Sequence, residues 1–142
     1  MLNGKNTGQF GVISRKHPAY GSIRVTNVAR TLADIVVRPA YSGGILEILN
    51  AYRKAAGKVS ARELMSVLEN IQHAYPYHQA IGFLLEKSGN WNEEEIAVFR
   101  NTAMQYDFYL DYEMHEPCFS RTWRLYYPAS LDDAQSQAKK KA

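Results

Sequence analysis

The apolar positions of this chain change rhythm twice, and each change predicts a different kind of structure. After a loose lead-in over residues 1–8, residues 10–14 can form a short strand, and Ile23 and Val25 alternate with Arg24 and Thr26. The turn-rich stretch Lys16-His17-Pro18-Ala19-Tyr20-Gly21 lies between them, so a β-hairpin is predicted. From residue 27 the rhythm becomes helical. Thr26 or Asn27 can cap a helix running to about Val37, and Pro39 disfavours its continuation past Arg38. Ser42-Gly43-Gly44 supplies the next start, Ile45, Ile48, Leu49 and Tyr52 give the stripe, and Gly57 ends it.

The third helix carries a capping box, Ser60 with Glu63, and a stripe of Leu64, Val67, Leu68 and Ile71. A fourth is predicted from Tyr75-Pro76 through Ile81, Leu84 and Leu85 to Gly89, with Pro at a favoured first position. A fifth starts at Asn92, with Trp91 and Ile96 at staple positions, and extends to about Tyr106. The period then falls to two. Phe108, Leu110, Tyr112 and Met114 alternate with Tyr109, Asp111 and Glu113, and a second alternating run follows from Phe119 to Tyr127. This predicts a C-terminal hairpin, closed by Pro128 and followed over 129–142 by a short helix or a flexible tail. The expected architecture is one α+β domain over residues 1–142. Its N- and C-terminal β-hairpins share one sheet, packed against about five central helices, with Ile23, Val25, Trp123 and Leu125 in the shared core.

Composition narrows the class. The apolar share of 46% and charged share of 22% fit an ordinary globular domain. Cys118 is alone, so no internal disulfide is possible and a reducing, cytoplasmic compartment is expected. No apolar run is long enough for a membrane span. Ten Tyr suit half-buried surfaces, at a core edge or at a wet interface.

Charge is distributed unevenly. Residues 1–62 hold ten Lys or Arg against two acids, a surplus of +8, whereas residues 63–142 hold seven against twelve, a deficit of −5. Arg15, Lys16, Arg24, Arg38, Arg53 and Lys54 are therefore candidates for a positive surface that attracts DNA or an acidic protein face. Tyr75, Tyr77, His78 and Gln79 cluster at a helix start, where free amides favour an anion, though local packing and hydrogen bonding would also account for them. Arg30 and Asp34 are four apart on one helix and can pair. Glu86, inside an apolar helix, needs a partner, which Arg30 or Arg38 could supply in a buried network joining the first and fourth helices.

Catalytic patterns are sparse. The four histidines lack i,i+4 spacing, and His115 with Cys118 lacks a second ligand pair, so neither a metal nor a cofactor is expected. Gly43-Gly44 lacks the Lys-Ser/Thr ending of a phosphate loop.

Several segments, in their order and spacing, resemble the C-terminal domain of AbiEi-type antitoxins of bacterial type IV toxin–antitoxin systems. They are Val25-Thr26-Asn27 with Arg30-Thr31-Leu32 and Asp34, then Arg38-Pro39 and Gly43-Gly44. Tyr75-Pro76-Tyr77-His78-Gln79 with Ile81-Gly82-Phe83 and Leu85-Glu86 follows, and Trp123-Arg124-Leu125 with Pro128 closes the match, which spans roughly residues 22–131. The resemblance implies a non-enzymatic transcriptional regulator that counteracts a nucleotidyltransferase-like toxin and assists DNA binding through basic surface. It departs from the family in the expected lack of an N-terminal winged helix and in Val28-Ala29, where the family often has an acid. The rival readings are a nucleic-acid-processing enzyme using Glu86 and Asp34, and a stand-alone nucleic-acid-binding module.

Overall fold

A computed structural model describes residues 10–37, 39–71 and 77–132, with backbone only at residues 40 and 41. The chain runs β1 (Val12–His17), β2 (Gly21–Thr26), α1 (Val28–Val37), a 3-10 turn (Pro39–Ser42), α2 (Ile45–Ala55), α3 (Ala61–Ile71), α4 (Tyr77–Ser88), α5 (Glu93–Arg100), β3 (Phe108–Tyr109), β4 (Cys118–Ser120) and β5 (Leu125–Tyr127). It is an α+β fold.

Helix starts follow their local chemistry. Asn27 Oδ1 accepts from Arg30 N at 2.9 Å, so Asn27 rather than Thr26 caps α1. Ser60 Oγ accepts from Glu63 N at 3.1 Å, and Glu63 reaches back to Ser60 N at 3.4 Å. Asn92 Oδ1 accepts from Glu95 N at 2.9 Å. The start of α2 has no side-chain cap; Gly43 and Gly44 instead make the turn at φ 85° and 92°, values that suit glycine.

Helix α4 is the centre of the molecule. It packs against α1, α2, α3, α5 and β5, and every residue from Gln79 to Leu85 is buried. Around it Leu32, Val36, Ile48, Leu49, Leu64, Val67, Phe99, Trp123 and Leu125 complete one core. The buried Tyr52 hydroxyl, donating to Leu32 O at 2.7 Å, ties α2 to α1. Trp91 Nε1 donates to Tyr52 O at 2.9 Å and ties in the segment that leads to α5.

The expected single sheet is corrected to two. Strands β1 and β2 form an antiparallel hairpin, while β3, β5 and β4 form a separate three-stranded sheet in that order, with β3 parallel to β5. The hairpin lies over the start of α1, where Asn27 N donates to Gly11 O at 2.6 Å. Ile23 and Val25 are only half-buried there, whereas Trp123 and Leu125 are fully buried against α4. The C-terminal hairpin is β4–β5 alone, because the 108–114 run remains extended only at Phe108 and Tyr109.

Helix α5 also stops short of Tyr106, at Arg100, with Asn101 N bonded to Ala97 and Phe99 carbonyls. Beyond it the backbone is held by side chains from elsewhere: His78 on Ala103 O, Arg124 on Met104 O and Gln79 on Tyr106 O. Those tertiary bonds take the place of the helical ladder. At the other end the chain turns helical over 130–132, the short helix being one of the two expectations there, and Leu131 is fully buried. Residues 133–142 lie outside the described part.

Candidate functional site

Of the residues singled out in the sequence, Arg38 and Tyr75 lie outside the described residues. The remaining candidates separate into joints that hold the fold and groups that face solvent.

Arg30 is a joint. It is 2% exposed; its Nε meets Asp34 Oδ1 at 3.0 Å, and its Nη1 donates to Phe10 O at 2.7 Å. Glu86 does not belong to this network. It is exposed, pairs with Arg100 at 3.3 Å, and accepts from Trp123 Nε1 at 3.2 Å. The reason is rotational: Glu86 occupies the side of α4 that faces Trp123 and α5. Asp34 and Glu86 thus sit in separate ion pairs and do not converge on a common point. Among the described residues no group of three His, Cys, Asp or Glu is placed to hold a metal ion.

Gln79 and His78 are also joints, engaged in hydrogen bonds to backbone carbonyls. The buried Gln79 Nε2 lies 2.9 Å from Tyr106 O, 2.8 Å from Trp123 O and 3.2 Å from Arg124 O. His78 Nε2 meets Ala103 O at 3.0 Å; since a carbonyl only accepts, the imidazole donates. Burial holds His78 below its ordinary 6.5, partly offset by that hydrogen bond. Arg53 is likewise engaged, with Nε on Ser88 O at 3.2 Å and Nη1 on Asn50 Oδ1 at 3.0 Å.

The other basic candidates are exposed but do not all share a face. Antiparallel register pairs Ser14 with Arg24 and Lys16 with Ser22, which puts Lys16 and Arg24 on one face of the hairpin and Arg15 on the other. Lys54 stands with Lys58 on a shallow groove of about 280 Å³ that also includes Thr26, Val28 and Thr31. The exposed basic groups therefore fall in two places: Arg15 and Lys16 near the hairpin turn, and Arg24, Lys54 and Lys58 toward the Thr26 end of the hairpin and the end of α2.

At the opposite charge extreme lies a feature that the period-two reading of residues 108–114 concealed. A cleft of about 520 Å³ is lined by Val36, Val37, Pro39 and Leu110, by the rings of Tyr77, Tyr106, Phe108, Tyr109 and Tyr112, and by Asp107 and Asp111. Tyr77 is the one sequence candidate among them, and its ring meets Phe108 edge-on at 5.5 Å. Beside the cleft, Tyr109 stacks on Tyr126 at 4.7 Å and Phe119 meets Tyr126 at 4.7 Å. Tyr106, Tyr109 and Tyr112 recur at every third residue with Asp107 and Asp111 interspersed, and all three tyrosines are exposed.

No family model, curated protein or solved structure matches the chain. Among the described residues no helix is long and apolar enough to cross a membrane.

Proposed function

We propose that this chain is an antitoxin-like regulatory domain that counteracts a nucleotidyltransferase-like toxin and assists DNA binding through its basic end. The supporting observation is the way the residues that carry the family resemblance come together. Gln79, Gly82 and Glu86 fall on one side of α4, and all three meet Trp123: Gln79 at its carbonyl, Gly82 at its ring and Glu86 at its indole N–H. Arg30 and Asp34, from a different segment of the resemblance, make the other joint and fasten Phe10, just before β1, to α1. Segments far apart in the sequence thus act as parts of two separate joints, each built from residues of the resemblance. The separation of a basic end from an acidic, aromatic cleft suits a regulator that touches two unlike partners.

The test is co-expression with the nucleotidyltransferase-like toxin of the neighbouring reading frame. Growth is expected to be restored by this chain and not by an Arg30→Ala variant. Continued arrest with the folded wild-type chain, or a neighbourhood with no such reading frame, overturns the reading.

The stand-alone nucleic-acid-binding module is the second reading. Lys54 and Lys58 on one groove, with Arg24 on the adjoining strand, favour it. It predicts duplex binding that falls steeply with salt and needs no toxin.

A further inference from the structure

We propose that the tyrosine-lined cleft and the aromatic row beside it form one docking surface for an arginine- or lysine-rich segment of a partner protein. This rests on the partner-binding reading above and adds the chemistry of the contact.

The two features are continuous through Tyr109, which lines the cleft and stacks on Tyr126. Tyr109, Tyr126 and Phe119 are register partners on β3, β5 and β4, so the row crosses the whole sheet. The neighbouring Phe108 and Leu125 face inward and pack on the core. The fold therefore uses the inner side of the sheet and leaves the outer aromatic row to solvent. Tyr109 is 62% exposed and Tyr112 79%. A contiguous exposed patch of this kind marks an interaction site.

Charge selects the occupant. Asp107 and Asp111 line the cleft, and Glu113 and Glu116 stand exposed on the following loop. Arg124 is already paired with Asp107 at 3.1 Å. Aromatic faces attract cations, and carboxylates at their rim complete the recognition of a guanidinium or ammonium group. The same sheet already holds one internal instance, Lys87 Nζ at 5.2 Å from the Tyr127 ring centroid. A single-stranded nucleic acid would also stack on such a row, but its phosphates need cations, and among the described residues that line the cleft there is no Lys or Arg.

The experiment is fluorescence anisotropy of a labelled oligo-arginine peptide on the full chain, with oligo-glutamate and oligo-thymidylate as comparison probes. Oligo-arginine is expected to bind, and Tyr109→Ala and Asp111→Asn are each expected to weaken it about fivefold, the size of one cation–π or charge interaction. The double variant Arg15→Glu/Lys16→Glu is expected not to weaken it. Near-UV circular dichroism checks that the variants fold; Asn at 111 retains the oxygen that accepts from Tyr112 N. Equal peptide affinity for wild type and both variants overturns the proposal. So does oligo-thymidylate binding abolished by Tyr109→Ala, which makes the row a nucleic-acid platform. Self-association abolished by Tyr109→Ala assigns it to a second copy. The two readings also fail separately. Full neutralisation of the neighbouring toxin by Tyr109→Ala removes the docking surface and leaves the antitoxin reading. Peptide binding through Tyr109 without neutralisation removes the antitoxin reading alone.

Discussion

Gly82 and Trp123 fit as socket and ring: a Cβ built on Gly82 would lie 2.1 Å from Trp123 Cζ3. No side chain larger than hydrogen fits there unless the indole moves. Because Trp123 is fully buried, it has nowhere to move without disturbing the core. Gly82→Ala is therefore expected to destabilise the protein by about 3 kcal/mol, even though alanine favours helices. Chemical denaturation measures it. In a double-mutant cycle with Trp123→Phe, whose smaller ring leaves room, the two substitutions should couple favourably by about 1 kcal/mol or more.

Arg30→Ala should be nearly as damaging. It leaves Asp34 and the Phe10 carbonyl without their guanidinium and opens space under the hairpin. Asp34 keeps some exposure to water, so the expected loss is about 2–3 kcal/mol, below the range for a fully buried pair. Arg100→Ala, on a pair open to solvent, is expected to leave the melting temperature almost unchanged. Equal effects of the two substitutions in parallel thermal scans would contradict this contrast.

His78 gives the protein an acid-sensitive joint. Its folded-state pKa lies below the ordinary 6.5, so the unfolded chain takes up the proton first. The stabilisation is complete above pH 6.5 and is lost as pH falls through the folded-state value. Unfolding free energy should therefore decline as pH falls below 6.5. His78→Gln, which can still donate to Ala103 O, should flatten that part of the profile in urea titrations at several pH values.

Lys54→Glu with Lys58→Glu tests the basic end. Both substitutions lie at the surface, so the fold should survive. Duplex DNA affinity should fall by at least tenfold at low salt. The slope of log affinity against log salt should become shallower by about two, one for each phosphate no longer neutralised by a lysine. Arg15→Glu should matter less than Lys16→Glu, because Arg15 points to the other face of the hairpin. Electrophoretic mobility shifts at two salt concentrations read both effects.

What could be read from the sequence was what is decided within a turn of helix. Asn27, Ser60 with Glu63, and Asn92 each cap a helix through an atom three residues away, and each was visible as a short pattern. The Arg30–Asp34 pair was legible for the same reason. What was hidden is decided across the fold. The end of α5 depends on carbonyls taken by His78, Gln79 and Arg124, residues 20 to 27 positions away. The partner of Glu86 depends on which side of α4 faces α5. The two sheets could not be told from one, because alternation reports that a segment is extended and not which strand it pairs with. The cleft was hidden by the same ambiguity. Phe108, Leu110 and Tyr112 alternate as a strand would, yet only Phe108 and Tyr109 are paired.

The C-terminal sheet has strands of only two or three residues, too short to hold together alone. Its geometry is lent by Gln79, whose one amide nitrogen gathers carbonyls from residues 106, 123 and 124. The alignment of Tyr109, Tyr126 and Phe119 therefore depends on a contact made from α4, outside the sheet itself. The completed aromatic row exists only in the folded molecule, so a partner that docks on it would engage folded chains alone.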